Sequence, residues 1–103
     1  MDRIAKLKEL MTISSDDSFL QHALALEYIK TGDELSARLL FETILQREPG
    51  YIGSYYHLAK LLERINETDE AVMWYEKGME EARKAGDMHS LSELKSAYEE
   101  LIF

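Results

Sequence analysis

The chain has 103 residues, contains no cysteine and carries a formal net charge of −8, from 20 acidic and 12 basic residues. The lack of cysteine excludes a disulfide framework and a thiolate metal site, and it fits a reducing compartment, so we expect a cytoplasmic protein. The acidic balance argues against binding to the phosphate backbone of nucleic acids. The sequence has no run of about 18 apolar residues, so neither a membrane-spanning segment nor membrane binding is predicted.

Apolar residues recur at intervals of three and four along the chain, and this periodicity predicts an all-α fold with about six helices. A turn and capping cluster, 14–17, precedes the second helix, which Asp17 or Ser18 caps. The apolar face of the first helix comprises Ile4, Leu7, Leu10 and Met11. The expected helices span about 2–11, 18–31, 33–47, 51–65, 67–85 and 88–101.

The residues between these helices predict where the helices end. Gly32 follows the second helix and Asn66 follows the fourth, and both residue types tolerate the left-handed backbone that ends a helix. Pro49 ends the third helix because proline cannot continue one, and it forces Glu48 out of helical geometry. Gly86 and its neighbour separate the fifth helix from the last.

Two stretches of the chain repeat each other at an offset of 34 residues. A period of this length indicates a supersecondary unit that is used twice and that cannot bury its apolar face alone. Small residues at matching positions allow two helices to approach closely at a crossing. The recurring pairs are Leu24 and Leu58, Ala25 and Ala59, Tyr28 and Leu62, Ala37 and Ala71, and Phe41 and Tyr75.

The pattern Leu24-Ala25-x2-Tyr28, then Ala37-x3-Phe41 and Pro49, resembles the tetratricopeptide repeat, which has two antiparallel helices per 34 residues. The resemblance implies a solenoid of antiparallel helix pairs that forms a single domain over 1–103. The expected segments are an N-terminal half-repeat helix at 2–13, repeat 1 at 18–51, repeat 2 at 52–85 and a C-terminal capping helix at 88–103.

The resemblance also implies a function: a non-catalytic module that binds a partner peptide or protein segment on its concave face, which the first helix of each pair lines. The alternative is a self-assembling structural protein, a homo-oligomer whose concave face or chain ends contact another copy. Two full repeats are fewer than the roughly three units usually needed for stability, which keeps this alternative open.

The second helix has more apolar residues than one crossing requires. We expect the N-terminal helix to cover part of this excess, with Leu20 and Ala23 as its contacts. The residues that lie further round the helix then form an apolar groove for a partner. The partner-binding candidates on this helix are Phe19, His22, Leu26 and Ile29.

The fourth helix carries an aromatic and basic stripe, formed by Tyr56, His57, Lys60 and Arg64. Within an acidic protein, such a stripe is suited to an acidic or C-terminal carboxylate group of a partner. In the alternative, the two basic residues pair with nearby acids such as Glu63 or Glu27. Surface pairs of this kind occur without any binding function. Some family members clamp a terminal carboxylate with Lys, Asn and Arg residues spread over three repeats. Here His22 and Leu26 stand where a Lys and an Asn would be expected, and His57 replaces the next Asn.

Catalysis, cofactor binding and metal binding have little support in the sequence. His22, His57 and His89 recur about once per repeat, but no two of them have the close spacing of a metal site. The sequence has no glycine-rich phosphate loop, and its carboxylates lie mostly on expected helix surfaces. We therefore expect no catalytic residue, no cofactor and no metal, and a small-molecule or metal site at the histidines is the weakest alternative.

Overall fold

Short polar segments divide the chain into helices, as the periodicity predicts. In the computed structural model, which describes residues 2–103, the chain forms six α-helices and no strand, so the all-α prediction is confirmed. None of these described helices has the length and apolar character needed to cross a membrane. The helices are α1 (Arg3–Met11), α2 (Ser18–Lys30), α3 (Glu34–Arg47), α4 (Gly53–Arg64), α5 (Thr68–Ala85) and α6 (Met88–Ile102).

Aspartate side chains cap four of the helices at their N-termini. A carboxylate at this position accepts a hydrogen bond from a backbone N–H that has no partner within the helix. At α2 the capping residue is Asp17, whose Oδ1 accepts from the backbone N–H of Leu20 at 3.1 Å. Asp2, Asp33 and Asp87 cap α1, α3 and α6 in the same way. Local sequence therefore determines where these helices begin.

The helix ends have the backbone geometry that the sequence predicts. Gly32 and Asn66 adopt positive φ angles of 86° and 65°, which confirms their role as left-handed residues after α2 and α4. Gly86, with φ at 71°, ends α5. Glu48 has φ at −136° and ψ at 78°, outside the helical region, because Pro49 follows it.

The helices are distributed over two compact units. The first unit ends at Glu48, and within it α2 packs against both α1 and α3. The second unit is Pro49–Phe103, in which α5 packs against both α4 and α6, and α4 also contacts α6. The single domain over 1–103 and its four segments stay a prediction.

The core of the first unit lies where α2 crosses α3. Ala25 and Ala37 are fully buried, as expected of small residues at a crossing, and Phe41 fills the space beside them. Leu7 of α1 is also buried, which agrees with the expected apolar face of that helix. The other buried apolar residues of this unit are Leu24, Ile44 and Leu45.

The second unit has a core of the same design, with larger aromatic residues. Ala59 and Ala71 are fully buried, and Tyr55 and Tyr75 are the largest side chains without exposure. The Tyr55 hydroxyl donates to the backbone oxygen of Pro49 at 2.6 Å. The Tyr55 hydroxyl therefore keeps a hydrogen-bond partner although its ring is buried, as a buried polar group requires.

Gly78 of α5 allows a close approach of helices in the second unit. A Cβ atom added at Gly78 would lie 2.7 Å from the Cβ of Tyr55 in α4 and 3.1 Å from a methyl of Leu94 in α6. No side-chain carbon fits at 2.7 Å, so α5 packs against its two neighbours only because this residue has none. The repeat comparison did not predict this contact.

Candidate functional site

The predicted residues of α2 differ in their exposure within the first unit. Phe19 has 69% of its surface exposed, which leaves a large aromatic side chain available to a partner. Leu26 and Ile29 are only half-buried. The ring of His22 packs edge-on against that of Phe41, with 5.5 Å between the ring centroids. Of this predicted set, Phe19 is the most exposed contact.

Helix α1 lies against the side of α2 that carries Glu27 and Tyr28. Arg3 pairs with Glu27 at 3.4 Å, and the Lys8 Nζ lies 5.9 Å from the centre of the Tyr28 ring. Leu20 and Ala23, the contacts expected from the sequence, are half-buried. A cavity of about 320 Å³ remains beside Arg3 and Glu27. Part of the polar surface of α2 is therefore occupied by this chain itself.

A polar cluster joins the start of α2 to the end of α3. The Arg47 guanidinium donates to Ser18 at 2.7 Å and to Gln21 at 2.9 Å. Ser18 in turn donates to Glu48 at 2.8 Å. Sequence reasoning missed this cluster. Its signal was a departure from the repeat, because Ile52 and Tyr55 occupy the positions of Ser18 and Gln21 in the second copy.

In the second unit, the structure brings together three of the four predicted residues of α4. The rings of Tyr56 and His57 meet edge to face with 5.7 Å between centroids, and Lys60 Nζ lies 5.8 Å from the centre of the Tyr56 ring. Arg64 is exposed one turn further along, and it lines neither of the cavities described below.

Glu63 ties this part of α4 to α5. Its carboxylate accepts a hydrogen bond from the Tyr75 hydroxyl, and it also pairs with Lys60 at 3.8 Å. Glu27 of the first unit pairs instead with Arg3 and Lys30. The pairing of Lys60 with Glu63 is therefore present, as the alternative from the sequence proposed.

The surroundings of His57 favour its neutral form. Its pKa is lowered, first because burial disfavours the charged imidazolium and second because Arg64 carries a like charge nearby, whereas Glu93 opposes this shift. A neutral imidazole offers one donor and one acceptor nitrogen, so His57 contributes hydrogen-bonding capacity rather than charge.

Helix α6 completes an open groove with α4, which we call the α4–α6 groove. Tyr56 and Glu93 line both of its cavities, and the two carboxyl-bearing residues of the larger one come from α6. The larger cavity, of about 360 Å³, is lined by Tyr56, Lys60, His89, Ser92, Glu93, Ser96, Ala97 and Glu100. The smaller cavity, of about 270 Å³, is lined by Ile52, Gly53, Tyr56, His57, Ser90, Glu93 and Leu94.

The sequence predicts a capping helix at 88–103 but not the position of its polar residues in the groove. The signal was present in their spacing, because His89, Glu93, Ser96 and Glu100 recur at intervals of three and four residues. The sequence does not reveal which other helix this face of α6 lies beside. Packing of Leu94 and Ala97 into the core turns it towards α4.

The three histidines lie in different surroundings. His22 packs on an aromatic ring, His57 is half-buried in the groove, and His89 is exposed and lies 3.6 Å from Glu93. Within residues 2–103, no group of three or more His, Cys, Asp and Glu residues has an arrangement that could hold a metal ion. The groove presents hydroxyl, carboxylate, ammonium, imidazole and phenol groups.

The chain is similar to tetratricopeptide repeat proteins in sequence and in structure. A family model described as tetratricopeptide repeat matches residues 52–84. The solution NMR structure of a tetratricopeptide repeat domain protein from Salinibacter ruber is 42% identical, with a TM-score of 0.81, over 84% of this chain and 87% of that chain. A crystal structure of such a protein from the same organism is also 42% identical, with a TM-score of 0.79, over 82% of this chain and 94% of that chain.

A more distant structure shares the fold alone. It is the TPR2B domain of yeast Sti1 in its pHsp70 complex, with a TM-score of 0.87 at 13% identity, over 95% of this chain and 78% of that chain. No curated protein gives a significant sequence match. Because the Salinibacter ruber protein is 42% identical over most of both chains, this chain belongs to the tetratricopeptide repeat family.

Proposed function

We propose that this chain is a non-catalytic interaction module that binds a segment of a partner protein, with the α4–α6 groove as a principal contact. Domains of the tetratricopeptide repeat family generally mediate protein–protein interactions and typically have no enzymatic activity. The observation that carries the proposal is the open groove of about 360 Å³, which includes Tyr56 and Lys60. A cytoplasmic location stays a prediction.

The chemistry of the groove suits a peptide rather than a small apolar ligand. Serine hydroxyls, carboxylates and an ammonium group line it, so the main-chain and side-chain polar groups of an extended segment find hydrogen-bond partners there. The Tyr56 ring adds an aromatic contact, a side-chain type that is enriched at binding hot spots. The pHsp70 complex of the yeast Sti1 domain supports a protein partner for this fold.

The first unit supplies a second contact in this proposal. Phe19, with 69% of its surface exposed, serves as an apolar anchor, and Leu26, Ile29 and His22 flank it on α2. A large apolar side chain that is buried by a partner contributes about 1.5–3 kcal/mol. Joint action of the α2 residues and the four α4 residues on one segment stays a prediction.

A displayed library of random peptides tests the proposal. We expect the protein to enrich peptides whose affinity falls at least about tenfold in the variant Ser96→Trp, because an indole side chain occupies the groove. Ser96 is exposed, so this change leaves the core intact. The matched control is Gln46→Trp, which places the same side chain on the exposed surface of α3.

Two results contradict the proposal. Either the library yields no enriched peptide, or the enriched peptides bind Ser96→Trp and the wild-type protein equally well. Melting curves of both variants establish that a loss of binding does not reflect a loss of folding.

Self-assembly is the second candidate function, and one observation favours it. Leu35 and Leu39 lie one turn apart on α3 with 69% and 56% of their surfaces exposed, and they form an apolar stripe. Adjacent exposed apolar residues of this kind occur at interfaces between subunits. In this alternative the stripe contacts a second copy of the chain.

A further inference from the structure

We infer that the partner segment of the α4–α6 groove is basic and carries two Lys or Arg side chains that pair with Glu93 and Glu100. This inference rests on the proposed function and specifies its partner. It has the opposite sign to the carboxylate recognition expected from Lys60 and Arg64, and it follows from the position of α6, which the sequence did not reveal.

Two carboxylates of α6 lie in the groove. Glu93 and Glu100 both line the larger cavity and lie on one face of α6. Seven residues separate them, which corresponds to about 10 Å along a helix. A peptide in the polyproline II conformation advances about 3.1 Å per residue with three residues per turn, so cationic side chains three residues apart lie on one side of the peptide and match this spacing.

The groove also contains the ammonium group of Lys60. Lys60 already pairs with Glu63, 3.8 Å away, and Glu63 is held in place by the Tyr75 hydroxyl. This pair partly offsets the charge of Lys60, whereas within residues 2–103 no Lys or Arg side chain forms an ion pair with Glu93 or Glu100. His89 lies 3.6 Å from Glu93 but carries charge only when protonated.

An aromatic ring and two serine hydroxyl groups also line the groove. Lys60 Nζ lies 5.8 Å from the centre of the Tyr56 ring, and an aromatic ring attracts a cation that lies over its face. Ser92 directly precedes Glu93, Ser96 lies between Glu93 and Glu100 in sequence, and both serines line the same cavity. Their hydroxyls offer acceptors to the N–H groups of lysine and arginine side chains.

The charge of the surrounding protein has the same sign. The second unit carries 11 of the 20 acidic residues but only 6 of the 12 basic ones. Complementary charge of this kind raises the rate of association and selects among partners. A basic segment is favoured both by the groove and by the field around it.

Three labelled peptides test the inference. They share one uncharged sequence and differ at two positions, three residues apart, which hold Lys, Gln or Glu. Fluorescence anisotropy at low salt measures their affinity for the full chain. We expect the Lys peptide to bind most tightly. Each of the variants Glu93→Gln and Glu100→Gln should lower its affinity about two- to fivefold, the range of one exposed ion pair.

The matched control is Glu99→Gln. It removes the same charge from the next residue of α6, which does not line the groove, so unchanged affinity in this variant supports specific recognition. If Glu99→Gln weakens the Lys peptide as much as the groove variants do, attraction is only to the overall charge, and the inference is wrong.

A preference for the Glu peptide that disappears in Lys60→Gln would overturn the inference and leave the proposed function standing. The proposed function fails by a different result, since that test asks whether Ser96→Trp blocks enriched peptides of any charge. If none of the three peptides binds while the library yields groove-dependent peptides without basic residues, the inference alone is wrong.

Discussion

At the scale of single residues, small side chains determine how closely the helices pack. Ala25, Ala37, Ala59 and Ala71 have no exposed surface, and each pair lies at one helix crossing. Gly78 has the same role at the contact of α5 with α4 and α6. Well-packed interiors have no spare volume at such contacts, so added atoms force backbones apart.

Gly78→Ala is expected to destabilise the protein by about 1–3 kcal/mol, the usual cost of overpacking. The added Cβ would lie 2.7 Å from that of Tyr55, and backbone movement is needed to relieve the clash. Chemical denaturation measures the change. Gly50→Ala is the control, because a Cβ at Gly50 meets no atom within 4 Å. Equal stability of the two variants would show that α5 shifts without cost.

Tyr55 is expected to make the folded state sensitive to alkaline pH. Burial, with a smaller contribution from Glu81 and Glu80, raises its pKa from 10.0 to about 12. Below pH 10 the tyrosine is protonated in both states. Between pH 10 and about 12 the unfolded chain releases the proton and the folded chain keeps it, so stability falls as pH rises.

The measurement is the free energy of unfolding at several alkaline pH values for the wild type and for Tyr55→Phe. The variant lacks the hydrogen bond to Pro49 and starts less stable, but its stability should decline less steeply above pH 10. Parallel pH profiles for the two proteins would assign the alkaline loss to other groups, such as Tyr75, whose pKa is also raised by burial.

At the scale of the helices, α6 both covers a core surface and builds a wall of the groove. Its buried side includes Leu94 and Ala97, and the adjacent side presents Glu93 and Glu100. One helix can serve both purposes because residues three and four apart share a face. Packing by the apolar face therefore sets the direction in which the carboxylates point.

Leu94→Ala is expected to destabilise the protein by about 2–5 kcal/mol, because it removes three buried carbons next to Gly78 and leaves a cavity. Leu94 has 1% of its surface exposed. Leu35→Ala, at a residue with 69% exposure, should be nearly neutral in the same urea titration. A small effect at Leu94 would mean that α6 is not held by this face.

At the scale of the whole molecule, the two candidate functions predict different states in solution. An interaction module is expected to be monomeric without its partner, whereas self-assembly through the apolar stripe on α3 requires a second copy. The net charge of −8 opposes association of identical chains at low salt.

We expect light scattering coupled to gel filtration to show a monomer at both low and high salt. If a dimer appears, the variant Leu39→Asp identifies the surface, because a carboxylate within an apolar contact prevents its burial. Leu39 has 56% of its surface exposed, so this change should not affect folding. A dimer that persists in this variant would place the contact on another surface.

The sequence by itself determined the six helices, the capping site at the start of α2 and the left-handed residues that end α2 and α4. These features depend on local chemistry: apolar periodicity, the capping of backbone N–H groups and the backbone freedom of Gly and Asn. The buried alanines were equally predictable, because each alanine in one copy of the repeat has a matching alanine in the other copy. Tyr56, His57 and Lys60 were proposed from the sequence because they lie on the first helix of a pair, and their role in binding stays a prediction.

Only the tertiary structure decided what these helices meet. The contact of Gly78 with Tyr55, the cluster around Arg47 and the facing of α4 by the carboxylates of α6 all join residues distant in sequence. Periodicity shows which residues share a face of a helix. Which other helix that face packs against depends on how the side chains of the two helices fit together. For that reason the sequence predicted a basic stripe on α4, and the structure placed Glu93 and Glu100 in the groove beside it.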